Sequence, residues 1–237
     1  MLNPIEEARF VELKNICLEL KVQPPPEVFI HLQVHDKNGV LTFDDVQRGH
    51  SWTRNFYNLL LGTASNVGGD GTGTFGVGKM SGKKTSGAIT SLTTRTPIAL
   101  SGLILGSGFA NNGITNTYGI VVGTVDTAFN ANQFALAVII PAGTAAGNFS
   151  YVAMAIPTQN YNSETKIWKG TLGRFFNNNS GGLITVKEIG LYWYGYMFNG
   201  SGDFMMERSV LSPVVDVVSG AQLTVTYEIS GDFSAID

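Results

Sequence analysis

The stretch from Arg174 to Tyr227 constrains the fold more than any other part of this chain. Within it, residues 183–193, 204–211 and the start of 222–229 alternate apolar and polar side chains, separated by Asn, Ser, Gly and Asp turns. A period of two places successive side chains on opposite faces, which is the signature of a strand. The stretch holds no His, no Cys and few carboxylates, so it builds a sheet and offers little chemistry.

The same pattern extends backwards. Further strand candidates are 28–34, 40–43, 89–94, 97–105, 118–124, 135–140, 148–156 and 165–176, while 51–61 fits a short helix or a strand. Many short strands without alternating helices predict a mainly β fold, an antiparallel β-sandwich or jelly-roll-like domain over residues 27–237. Residues 62–88 are about one third glycine and read as a long mobile loop inside it.

Residues 3–21 form the one long helical pattern. Asn3 suits the cap, Pro4 the first helical position, and Glu6 and Glu7 the positive end of the dipole. Phe10, Leu13, Cys17 and Leu20 recur at spacings of three and four, an apolar stripe that makes the helix amphipathic. Pro24, Pro25 and Pro26 then form a stiff, extended spacer. Residues 1–26 therefore read as a helical arm, which packs back on its own domain or docks on a neighbouring subunit.

Composition excludes several functions. Only 14% of residues are charged, against roughly 25% in ordinary soluble domains, so Gly, Thr, Ser and Asn must cover much of the surface. A net charge of −3 with scattered basic residues predicts no direct nucleic-acid binding. The apolar run 134–140 falls far short of the roughly 20 residues that span a bilayer, and the N-terminus does not read as a secretory signal. A single cysteine excludes an intrachain disulfide.

Motifs for chemistry fail on their physics. Residues 71–76 spell GxGxxG without the strand and helix that hold a pyrophosphate, and Met80 stands where a phosphate loop needs Ser or Thr. In 36–45, Gly39 follows Asp36 three residues on, where a calcium-binding EF-hand needs five, so a hairpin turn is expected. His31 and His35 on one strand stand about 13 Å apart, too far to share a metal. No nucleophile elbow, Cys–His pair or convergent carboxylate pair is visible. No cofactor, metal or catalysis is expected.

Two constellations remain. On 184–193 the even positions Ile184, Val186, Glu188, Gly190 and Tyr192 share a face, and on the next strand Phe204, Met206, Arg208 and Val210 do. Glu188 and Arg208 are expected to form a structural ion pair; the competing reading is an acid with a raised pKa at an active site. Second, Tyr192, Trp193, Tyr194, Tyr196 and Phe198 point to both faces of a strand, so some must be exposed, at a subunit interface or on a sugar-binding platform.

Several segments resemble those of tailed-phage virion proteins. They are the hairpin with an Asp-x-x-Gly turn running into Ser-Trp-Thr-Arg-Asn-Phe (36–56), the segment 119–124, Arg174-Phe-Phe-Asn with Ser180-Gly-Gly, then 186–192, 207–211, Pro213, and Gly220 leading into 223–227. The resemblance implies a non-enzymatic β-sandwich of a bacteriophage virion that assembles with itself and with other virion proteins, as a capsid decoration, neck or tail component. The helical arm then serves as an anchor, with Phe10, Leu13, Cys17 and Leu20 as contact candidates. The alternative is a receptor-binding module of a phage fibre that recognises a host-surface glycan.

Overall fold

The computed structural model describes residues 4–22, 24, 26–49, 51–65, 81–91, 108–197 and 200–234. After helix α1 (Pro4–Glu19) come strands β1 (Glu27–His35), β2 (Leu41–Arg48) and β3 (Ser51–Trp52), then helix α2 (Arg54–Ser65). Strands β4 (Ser81–Lys83), β5 (Ile89–Ser91), β6 (Gly119–Gly123), β7 (Ser150–Tyr151) and β8 (Thr158–Asn162) are short. Strands β9 (Ile167–Asn177), β10 (Ile184–Met197), β11 (Gly200–Val217) and β12 (Gln222–Asp232) are long. The protein is mainly β, and every strand pairing is antiparallel.

Two sheets face each other. One runs β2-β1-β12-β9-β7, with β8 also paired to β9; the other runs β3-β11-β10-β6. Alternate residues of each inner face fill one shared core, with Ile30, Leu32, Val225, Tyr227 and Phe176 from the first sheet and Ile120, Ile189, Leu191, Trp193 and Phe204 from the second. Buried alternation in β1 and β12 is strict, so their register is well specified: a one-residue slip would expose the whole inner row. The 36–40 segment closes the β1–β2 hairpin. Asp36 accepts from the backbone N–H groups of Asn38 and Val40, and Gly39 takes a positive φ of 79° that other side chains resist.

The second sheet is also covered on its outer face. Segment 126–140, expected to contain a strand at 135–140, instead lies across the sheet as irregular chain with a single bridge, Gly123 to Ile139. It buries a second cluster of Val121, Leu136, Tyr192 and Met205. Its backbone is held by Tyr192, whose hydroxyl accepts from the Leu136 N–H at 2.7 Å. Helix α2 packs Phe56 and Leu59 into the main core, and Asn55 ties it to the β4–β5 hairpin and to β11 by donating to the carbonyls of Lys83 and Met205.

This cover corrects the expectation for the aromatics. Tyr192 and Trp193 are both buried, one under segment 126–140 and the other in the main core. Opposite faces of a strand do not imply exposure when both faces are roofed. Tyr194 is half-buried against Tyr118, with ring centroids 5.4 Å apart. The side chains of Tyr196 and Phe198 fall outside the described residues, as do most of loop 62–88 and the expected strand at 97–105.

Helix α1 also departs from expectation. It lies on its own domain, yet its apolar residues do not form a single inward stripe. Phe10 and Cys17 are half-buried, whereas Leu13, Ile16 and Leu20 are 45%, 46% and 69% exposed. The inward flank is held mainly by charge. Arg48 pairs with Glu7 at 2.7 Å and stacks on the Phe10 ring at 4.0 Å, and Lys14 meets Asp232 at 2.7 Å.

Candidate functional site

Among the described residues, four acidic or basic side chains sit fully inside the sandwich region: Arg174, Glu188, Glu207 and Arg208. A buried charge is costly unless partnered, so each must either stabilise the fold or mark a site.

Arg174 lies on the inner face of β9, opposite Val225. Among the described residues its guanidinium meets no carboxylate. It donates to the carbonyls of Gly113, Thr115, Tyr118, Ile120 and Val152 and stacks over Tyr151 at 4.7 Å. Burial lowers its pKa to about 10, so it remains protonated at neutral pH. One cation thus ties the irregular 113–118 segment to β6 and to the chain just after β7. Its chemistry is spent on the fold.

Glu188 and Arg208 meet at 2.7 Å: Nε of the arginine donates to Glu188 Oε2, and Nη2 lies 2.7 Å from the same oxygen. Arg208 further donates to Gln133 and to the Thr127 carbonyl. The route to this pairing differs from simple alternation. A bulge between Val186 and Glu188 flips the phase of β10, so Ile184 and Val186 face the main core while Glu188 faces outward. A second bulge, opposite Leu191 and Tyr192, shifts β11 at Met206, so Arg208 turns outward as well. Gly190, directly opposite Arg208, adds no side chain to this crowded face, where a Cβ would come within 2.8 Å of the Tyr192 ring. Burial raises the Glu188 carboxyl above its ordinary value, against the pull of the adjacent guanidinium.

The bulge at Met206 has a further effect: it turns Glu207 inward. Glu207 pairs in register with Leu191, which belongs to the main core. The carboxylate accepts from the hydroxyls of Ser209 and, at 2.7 Å, of Tyr227 across the sandwich. Burial pushes its pKa up to about 7, with the two hydroxyls pulling the other way. Simple alternation hides this residue, because it puts Glu207 on the face opposite Phe204 and Met206. A visible signal existed in the Glu207-Arg208-Ser209 run, three polar residues inside a strand otherwise apolar from 204 to 211.

Glu207 lies at the floor of a cleft of about 400 Å³ between α1 and the end of the sandwich. Phe10 and Leu13 of α1 form one wall; Val28, Trp52, Tyr57 and Phe129 form others. Trp52 stacks on Phe56 with centroids 3.9 Å apart, which fixes its ring. At the rim Arg48 is already engaged by Glu7 and Glu27. Gly49 stands beside the carboxylate: a Cβ there would lie 3.4 Å from Glu207 Oε1. A concave, largely apolar space with a few fixed polar groups and a carboxyl of shifted pKa is the usual form of a ligand site.

Of the sequence-derived candidates, Phe10 and Leu13 line this cleft. Glu188 and Arg208 lie on the outer face of the second sheet, and Tyr192 and Trp193 are core. Cys17 and Leu20 do not line it. Among the described residues no three His, Cys, Asp or Glu side chains come together as a metal requires. His31 instead meets Asp44 at 2.6 Å on the exposed face of the first sheet. No family model, curated protein or solved structure matches this chain.

Proposed function

We propose that this chain is a non-enzymatic structural component of a bacteriophage particle, assembling with copies of itself and with other virion proteins. The observation that carries the reading is the outer flank of α1. Leu13 and Ile16 on the helix and Leu20 just past its end follow one another at spacings of three and four, each 45% exposed or more, while Glu7–Arg48 and Lys14–Asp232 fasten the helix to the body. A helix held by charge with its apolar residues turned out presents a contact surface to a neighbour. Two further features support the same reading. Three of the four buried charged groups serve packing, and the segments resembling virion proteins include β10 and β12 at the centre of the sandwich.

The test is incorporation. Replacing Leu13, Ile16 and Leu20 together by serine is expected to leave the domain folded and to abolish its recovery with purified particles. A wild-type chain that stays monomeric at high concentration and is missing from purified particles rejects the reading.

A glycan-binding role on a fibre has a different basis from the one the aromatics suggested, since Tyr192 and Trp193 are buried. The exposed face of the first sheet carries a groove of about 250 Å³ lined by Phe29, His31, Val46, Thr171, Thr226 and Glu228, with Arg48 stacked on the Phe29 ring at 4.6 Å. Glycan-array binding lost on Phe29→Ala supports that role; an empty array removes it.

A further inference from the structure

Glu207 is a buried carboxylate whose partners among the described residues are two neutral hydroxyls, Ser209 and Tyr227. Its chain neighbour Arg208 points to the other face, where Glu188, Gln133 and Thr127 occupy it. The cation nearest the cleft rim, Arg48, is held by two glutamates. Among the described residues, then, no cation is paired with the Glu207 carboxylate. Glu207 is only 1% exposed, and it lines a cleft whose interior protein leaves unfilled. The cleft is walled by aromatic rings, with Trp52 and Phe129 among its lining residues, and it carries a glycine at the point nearest Oε1.

The complement of such a space has two parts. A carboxylate in an apolar setting favours an ammonium group, through a charge-assisted hydrogen bond. Aromatic walls favour both a flat apolar body and a cation over their faces. A volume of about 400 Å³ suits a small molecule. We propose that the cleft beneath α1 binds a small primary amine carrying an aromatic ring, its ammonium meeting the Glu207 carboxylate and its ring lying against the aromatic walls. Leu13 belongs both to the cleft and to the outward flank, but Glu207, Trp52 and Phe129 belong to the body of the domain, so the site stands whether or not that flank meets a neighbour.

Benzylamine is the probe, titrated into the full chain by calorimetry and by following the Gly49 amide and Trp52 indole resonances. Saturable binding that shifts both signals is expected, with benzyl alcohol, its neutral counterpart, at least about tenfold weaker. Glu207→Gln is expected to bring benzylamine down to the level of the alcohol while leaving the alcohol unchanged. If that variant fails to fold, Tyr57→Ala, a change at a half-exposed cleft residue, is expected to weaken benzylamine several-fold. Equal binding of amine and alcohol overturns the proposal, as does benzylamine binding that survives both substitutions. Preference for Nα-acetyl-lysine methylamide over benzylamine also overturns it, since the occupant would then be a protein side chain.

Discussion

Glu188 and Glu207 lie on adjacent strands of one sheet, both buried, and differ in what surrounds them. Glu188 has a guanidinium at 2.7 Å and a chain segment closing over it; Glu207 has two hydroxyls and an open cleft. The difference arises from two register shifts between β10 and β11, at Val186/Glu188 and at Leu191/Tyr192, which send Glu188 and Arg208 to the outer face and leave Glu207 facing inward. A carboxylate with its own cation has its charge matched and belongs to the scaffold, even though Glu188 Oε1 takes no hydrogen bond among the described residues. One without a cation is held in a state that something else can complete.

Breaking the closed half should have the largest effect. Arg208→Met strips Glu188 of its cation and is expected to cost about 3–5 kcal/mol in chemical denaturation. Adding Glu188→Gln to that variant should recover part of the loss, because no uncompensated charge then remains. A cost under about 1 kcal/mol for Arg208→Met would mean the pair is not closed.

The open half should appear as pH dependence. Unfolded, Glu207 titrates near 4.5; folded, near about 7. The folded state therefore holds its proton more tightly. The stability linked to that proton is fully present below 4.5, falls as pH rises between those values, and is lost above about 7. The full span is about 3 kcal/mol. Glu207→Gln should flatten this part of the pH–stability curve.

Tyr227→Phe removes one donor from the Glu207 carboxylate, with an expected cost of about 1–2 kcal/mol and a further rise in the Glu207 pKa. The smallest effect belongs to the α1 clamp. Glu7→Gln weakens the contact with Arg48 by at most about 1 kcal/mol, since both groups are partly solvated. Its readout is faster proteolysis within residues 4–22 with the sandwich intact. The clamp has the opposite pH sign to Glu207. Arg48 holds the Glu7 carboxyl below its ordinary value, so its contribution is present at neutral pH and is lost as acid protonates it.

The β-rich architecture was readable because 28–34, 183–193 and 222–229 alternate cleanly, and alternation is local. The hairpin at 36–40 was readable for the same reason, since Asp36 and Gly39 act within one turn. Long-range events were not. Nothing in 135–140 says that it will roof the second sheet, so the burial of Tyr192 and Trp193 was out of reach. Bulges have no simple residue signature, so parity failed for Glu207, and it gave the Glu188–Arg208 pair only because both strands flipped together. In α1 the spacing of Phe10, Leu13, Cys17 and Leu20 suggested one apolar stripe, but Glu7 and Lys14 settle which flank faces the body.

The contrast between the two carboxylates can be read in one titration. Carbon-13 spectra of the glutamate carboxyl groups, recorded across pH with and without benzylamine, follow Glu188 and Glu207 in the same tube. The expected result is a Glu207 midpoint near 7 that falls when benzylamine is added, beside a Glu188 signal that ignores the amine. A Glu207 midpoint near 4.5, or two carboxyls that respond alike to the amine, contradicts the division of this sheet into a closed pair and an open site.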